Sequence, residues 1–315
     1  MKKSTKTILT FTGLTLTAIH VLNRIQYSRC SLGNVLSCPE NNYYEWRFGK
    51  IRYSRQGTGS PILLLHGLDV GSSSYEFSKI INRLSEDHQV YTIDLLGYGL
   101  SDKPNMTYTA YLYVQLLSDF VKNVIKKKTD VIAVGGMAPI CIMTCHSDPD
   151  IFHKIALINP EDIYKLNEIP SRGTKIMKHI FELPVIGTYA YNILTCKKAF
   201  EKTFRKKYFS SPEKIEDRDI FAYMEAAHTP DFTSKYSHAS RLGNYMNCNI
   251  LHALHEMKNP IFIIGGSEEN DIQTIIDNYR YFNQSIRFSM VSKTKHLPHL
   301  EKPQEVYNLL KSYLS

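Results

Sequence analysis

The chain has 315 residues, of which 43% are apolar and 22% charged, and a formal net charge of +8. That length can bury a large core, and that composition excludes a disordered chain. The positive balance suits an anionic surface. With no zinc-finger spacing, RNP-like aromatic motif or basic arm, no nucleic acid partner is expected, and a membrane surface is the better match. Six cysteines are present, none in CxxC spacing and none grouped with His as a zinc site, so neither metal nor cofactor is expected. Cys141 and Cys145 read as small apolar residues of a core helix. Cys30 and Cys38 are candidates for pairing outside a cell, which the sequence leaves open.

Residues 1–28 read as a segment apart from the globular fold. Lys2, Lys3 and Lys6 precede an uncharged run from Thr7 to Asn23, and Arg24 follows. This is a positive n-region with a short apolar stretch, below the roughly 20 residues of a full span. No small-x-small cleavage site follows. An uncleaved N-terminal membrane anchor is expected, with a cleaved signal (hence secretion) or an interfacial helix as alternatives. Basic residues on both flanks leave the orientation open.

From Tyr43 to Arg55, two roughly alternating aromatic and β-branched runs flank Gly49 and predict a hairpin. Pro61 to Leu65 reads as a fully buried strand ending in His66-Gly67. Helical periodicity covers Tyr75 to Leu84, and Val90 to Leu96 is a second buried strand. A helix over Tyr111–Lys127 leads to the strand Val131–Val134, closed by Gly135-Gly136. Met137-Ala138-Pro139 then opens an apolar stretch of helical length, with Pro139 suited to a first turn. Ile155–Ile158, Ile261–Ile264 and Ile286–Val291 are further strands, and a last helix runs from Pro303. Continuous apolar strands alternating with helices predict an α/β fold with a mostly parallel sheet covered on both faces. The rhythm stops over 162–255, which reads as a helical cap insertion between core segments 29–161 and 256–315. Within it, Phe200, Phe204 and Tyr208 recur at helical spacing among six Lys or Arg. This basic helix, 196–208, reads either as a packed lid or as a membrane-surface helix.

Taken together, LLLHG at 63–67, IDLLGYGLSD at 93–102, the strand–turn–helix at 134–139, FIIGGSEE at 262–269 and KHLPHLEKP at 295–303 resemble the α/β-hydrolase family. The resemblance covers the chain from about Tyr43 to its end and implies that family's fold, with the insertion as its cap. It also implies a triad in the order nucleophile, acid, His. His296 matches the family's His, with His299 a packing or hydrogen-bonding neighbour. Glu269 matches the acid position, with Glu268 and Glu161 as alternatives. The serine of the Gly-x-Ser-x-Gly elbow is absent. Counting from Gly135 puts Met137 at the nucleophile position, and counting from Gly136 puts Ala138 there. The oxyanion donors implied are the backbone N–H groups of Leu68, which follows His66-Gly67, and Ala138. Met137 above His296 suggests a pocket for a small apolar or acyl-type ligand. The expected function is a membrane-tethered hydrolase relative with lost or altered catalysis. The alternatives are a hydrolase or lyase that uses His296 with a carboxylate and no serine, and a membrane-surface interaction protein.

Overall fold

A computed structural model describes residues 2–30, 34–36, 41–230 and 233–315. The candidate Cys30–Cys38 pair falls on side chains outside those described. In chain order the elements are α1 (Lys2–Cys30), β1 (Asn42–Trp46), β2 (Gly49–Gln56), β3 (Ser60–Leu65), α2 (Ile81–Asp87), β4 (His88–Ile93), α3 (Ala110–Phe120), β5 (Thr129–Val134), α4 (Met137–Ser147) and β6 (Phe152–Ile158). The cap contributes α5 (Arg172–Glu182), α6 (Val185–Leu194), α7 (Lys197–Thr203), α8 (Asp217–His228) and α9 (Ser234–Leu242). The core resumes with α10 (Leu251–Glu256), β7 (Ile261–Gly266), α11 (Ile272–Phe282), β8 (Arg287–Val291), α12 (Pro298–Glu301) and α13 (Pro303–Leu314).

The strands form one eight-stranded sheet in the order β1-β2-β4-β3-β5-β6-β7-β8. The predicted hairpin is antiparallel, β2 meets β4 antiparallel, and the pairs from β4 through β8 are parallel. Side-chain alternation divides the core. Leu63, Leu65, Val131, Ala133, Ile155 and Leu157 face the layer containing α3, α4 and α11. Ile62, Leu64, Ile132, Val134, Ala156 and Ile158 face the opposite layer, where α13 and cap residues pack. Both faces are covered, which is why the strands read as unbroken apolar runs. The carboxyl ends of β3, β5, β6, β7 and β8 all lie at one edge, where open α/β sheets place their ligands.

The structure bears on three of these expectations. The N-terminal segment is not separate from the fold. It is a helix whose second half packs on α6 and α8, with Asn23 buried and hydrogen-bonded to Asn192 at 2.9 Å. Among the described residues no helix is long and apolar enough to cross a membrane. At the end of the expected insertion, α10 packs on α4 and α11 of the core. Of the two readings of the basic helix, its aromatic face packs as a lid's would. Phe200, Phe204 and Tyr208 are buried around Tyr223, with ring centroids 5.0–5.9 Å apart.

Candidate active site

The strand β5 ends at Val134 and α4 begins at Met137, so the bend between them is Gly135-Gly136. Gly135 has φ +52°, a left-handed conformation that glycine adopts without steric penalty. A Cβ built on Gly135 would lie 3.7 Å from both Cε1 and Nε2 of His296 and would meet nothing else within 4 Å. Gly135 is therefore the bend residue that faces the imidazole. Met137, the expected candidate, is fully buried in the core layer that also contains Leu65, Leu68 and Ala133, and it does not line the cavity next to His296. The two glycines occupy the apex of the turn itself, two residues earlier than the reading that treats Gly135 as the motif's leading glycine.

The donor reading shifts with the register. The Ala138 N–H is committed to the Gly135 carbonyl at 3.1 Å. Gly136 is the residue held against Leu68: a Cβ on it would be 3.3 Å from Leu68 Cβ. His66 and Gly67 build this loop rather than face a ligand. The buried His66 ring accepts from Leu95 N–H at 3.1 Å through Nε2, which assigns the Nδ1 proton to the Gly67 carbonyl at 2.7 Å. The Gly67 N–H donates to Glu76 at 3.0 Å.

His296 lies in the loop after β8, and several elements hold that loop. Asn159, at the end of β6, donates to the carbonyls of Lys295 and His296, both at 2.9 Å, and accepts from Gly266 N–H at 2.8 Å. Glu301 accepts from the N–H groups of Ser210, Ser211 and Lys295 and so ties the cap to the same loop. After α7 the cap makes one π turn, Phe204–Tyr208. The last two carbonyls of that turn accept hydrogen bonds from the loop: Lys207 from His296 N–H and Tyr208 from Leu297 N–H. The Tyr208 ring stacks on the imidazole at 5.5 Å. Tyr208 entered the sequence reading only as part of a helical stripe, and Asn159 directly follows the strand read at Ile155–Ile158. Neither carries a local signal of its role at the imidazole loop.

Of the three carboxylates considered as partners, Glu269 is the one at His296, with its Oε1 3.2 Å from Nδ1. Glu268 instead accepts from Ser210 Oγ, and Glu161 pairs with Arg241. A residue not anticipated, Asp69, sits on the other nitrogen, its Oδ2 3.3 Å from Nε2. Asp69 lies in the loop after β3, close to the Tyr208 phenol. Burial raises the Asp69 carboxyl, but the hydrogen bond and charge of His296, with Arg241 and Lys207 nearby, hold it at about 2. Burial likewise lowers His296, and the hydrogen bonds and charges of Asp69 and Glu269 outweigh it, holding the ring well above the usual histidine range. Both ring nitrogens face a carboxylate oxygen, an arrangement that favours the doubly protonated ring. A ring already carrying both protons does not act as a base.

The adjoining cavity encloses about 580 Å3. Its walls carry Lys206, Lys207, Lys295 and Arg241 together with Asp69, Glu161, Glu268, Glu269 and Asp271, and Ile275 is among the few apolar residues. Most of these lining side chains are charged or polar. His299 packs as expected, stacked on Phe77 at 5.4 Å, but its ring nitrogens have no hydrogen-bond partner. Among the described residues, His146, His252 and Glu256 bring ligand atoms within 4.8 Å of one another, and none of the three lines the cavity.

Comparison with known proteins agrees with this architecture. The chain is 23% identical over 281 residues to a proline iminopeptidase of Heyndrickxia coagulans, covering 84% of this chain and 93% of the relative. It is 30% identical over 101 residues to a 2-hydroxy-6-oxo-6-(2'-aminophenyl)hexa-2,4-dienoic acid hydrolase of Metapseudomonas resinovorans, covering 31% of this chain and 35% of that relative. A shorter match, 40% over 60 residues, covers 19% of this chain and 19% of a haloalkane dehalogenase of Agrobacterium fabrum. Among solved structures, a serine hydrolase involved in carbazole degradation superposes with TM-score 0.70 at 16% identity, over 87% of this chain and 98% of that one. A membrane phospholipase A described as a bacterial virulence factor superposes with TM-score 0.67 at 16% identity, over 100% of this chain and 98% of that one. At these identities the superpositions speak for the fold. The sequence profile of the alpha/beta hydrolase family matches residues 62–309, and the chain belongs to that family.

Proposed function

We propose that this alpha/beta hydrolase family member binds a small, ionic ligand in the cavity beside His296 and does not turn over esters through a covalent intermediate. The observation that carries this reading is Gly135. It is the bend residue facing the imidazole, and it has no side chain with which to attack a carbonyl. Losing a serine nucleophile costs a triad enzyme roughly 10⁶ in kcat. The charged walls favour a ligand with complementary ionic groups over a hydrocarbon. The test is a panel of p-nitrophenyl esters together with a fluorophosphonate probe. The wild type is expected to stay unlabelled and to show no turnover that depends on His296. Stoichiometric labelling, or hydrolysis abolished by His296→Ala, overturns the reading.

A second reading is favoured by the Asp69–His296 contact. A carboxylate on Nε2 stands in the relation to the imidazole that a nucleophile holds. Asp69 would displace a leaving group from a saturated carbon to form an ester. The imidazolium, freed of the carboxylate's charge, would release its Nε2 proton to solvent, and the neutral ring would then take the proton of the water that cleaves the ester. Esterification removes the Asp69 charge and with it one of the two carboxylates that hold the ring protonated. Reaction of a short haloalkane in ¹⁸O-labelled water decides between the readings. Halide release with label in the Asp69 carboxyl supports turnover, and its absence supports binding.

A further inference from the structure

Two adjacent cap helices, α5 and α6, present large apolar residues outward. On α5, Ile176 and Ile180 are 54% and 41% exposed, and Leu183, one helical turn on, is 45% exposed. On α6, Ile186 and Ile193 are seven residues apart and 50% and 54% exposed. The inward face of α6 carries Gly187, Thr188, Tyr191 and Asn192 instead. The helix α1 lies alongside α6, and its described part repeats the inversion. Asn23 is buried against Asn192 and the Val185 carbonyl, while Val21 and Ile25 point outward, 50% and 44% exposed. A surface helix in water ordinarily does the opposite. An apolar layer spread over three adjoining helices marks an interaction face rather than scattered exposure.

Charge decides what covers it. Residues 2–30 and 169–200 together contain ten Lys or Arg and one acid, Glu182. A second copy docked by a two-fold axis would set that positive charge against itself. An anionic bilayer offers acyl chains to the apolar stripe and negative headgroups to the flanking lysines. We propose that α1, α5 and α6 form a monotopic docking face for an anionic lipid surface. The face lies flat on one leaflet with no element crossing it. This goes beyond the proposed ligand site and does not depend on it.

The experiment is flotation of the full-length protein with phosphatidylcholine vesicles and with vesicles containing added phosphatidylglycerol, at low and high salt. Binding is expected to the anionic vesicles at low salt and to weaken at high salt. Ile180→Glu and Ile193→Glu are each expected to lower partitioning roughly tenfold or more, because each places a charge where a large apolar side chain was buried. Lys175→Glu is expected to weaken binding at low salt and to matter little at high salt. Tyr281→Glu, on α11 and 78% exposed, serves as the control and should bind as the wild type does. Circular dichroism checks that each variant is folded. Failure of the wild type to float with anionic vesicles overturns the proposal. So does undiminished binding by Ile180→Glu and Ile193→Glu. A dimer in light scattering that Ile193→Glu converts to monomer, with no vesicle binding by the wild type, would assign the face to a second copy instead.

Discussion

Restoring a hydroxyl at the bend tests the register of the site, and the structure fixes what to expect. A Cβ on Gly135 is 3.7 Å from His296 Nε2. A serine oxygen about 1.4 Å further on then comes within the roughly 2.6–3.2 Å of a nucleophile–base hydrogen bond. The backbone penalty for a side chain at φ +52° is about 1–2 kcal/mol, and no clash adds to it, since only the imidazole lies within 4 Å. The obstacle is Asp69, already on Nε2 at 3.3 Å. A hydrogen bond to a charged group contributes about 1.5–3 kcal/mol, or about 10- to 150-fold in rate at 1.4 kcal/mol per decade. Gly135→Ser alone should therefore react slowly with a fluorophosphonate. Gly135→Ser with Asp69→Ala should react 10- to 150-fold faster by these figures, and His296→Ala should abolish both reactions. Met137→Ser should stay inert, because that side chain is in the core. Labelling rates and intact mass of the adduct read all four. A reactive Met137→Ser, or a folded double variant that labels no faster than Gly135→Ser, refutes the geometry argued above.

Other consequences follow from the same contacts. Burial lowers His228 to about 4 and His299 to about 3, so both are neutral in the folded protein and take up a proton near pH 6.5 on unfolding. The unfolded chain then binds more protons below that pH. At pH 5 each residue lowers stability by about 2 kcal/mol, or about 4 kcal/mol for the two. His296 has the opposite sign: its stabilisation is whole below about pH 6.5 and is lost as pH rises through its raised folded value. Urea melts should show lower stability at pH 5 than at pH 7, and a midpoint unchanged between pH 7 and pH 5 contradicts the assignment. By ¹⁵N-correlated NMR, the His296 ring should carry both protons above pH 7, and Asp69→Asn should move its titration down towards the ordinary range. Asn159→Ala strands two carbonyls of the His296 loop and the Gly266 N–H. It should cost about 3 kcal/mol in denaturant melts, and a loss below about 1 kcal/mol would mean that the loop is held by other contacts.

Much of the fold was readable because fully buried parallel strands leave a pattern that survives without context. The runs at 61–65, 131–134 and 155–158 needed no partner to be recognised as strands. His296 and Glu269 were legible for a related reason. Each sits at a set distance after a strand, so its position is a property of the local chain. The elbow was misjudged because its pattern is normally anchored on the side chain it presents. With a glycine at the apex, the eye takes that glycine for the one two places before the nucleophile. Only the backbone, with β5 ending at Val134 and α4 starting at Met137, settles the count. Asp69, Tyr208 and Asn159 were invisible for the opposite reason. Each acts on His296 from a sequence distance of more than 80 residues, and none belongs to a run that announces it.

Gly135 and Asp69 are best understood as a pair. In a working triad the imidazole cycles between neutral and charged forms, and the carboxylate on Nδ1 stabilises the charged form only in passing. Remove the hydroxyl, and Nε2 is a ring nitrogen facing a partly enclosed space with no proton to collect. A carboxylate brought to that nitrogen by the loop after β3 satisfies it, but in doing so it holds the ring in its charged form. The resulting Asp69–His296–Glu269 set is a fixed charge arrangement stacked under Tyr208, and the cap backbone at Lys207 and Tyr208 is hydrogen-bonded to the loop that carries it. A ligand that competes for Asp69 would therefore alter the protonation of His296, and through those backbone contacts would bear on the cap. In the reading proposed here, the inherited catalytic geometry is retained because it positions charge at the cavity, and proton transfer is no longer what it serves.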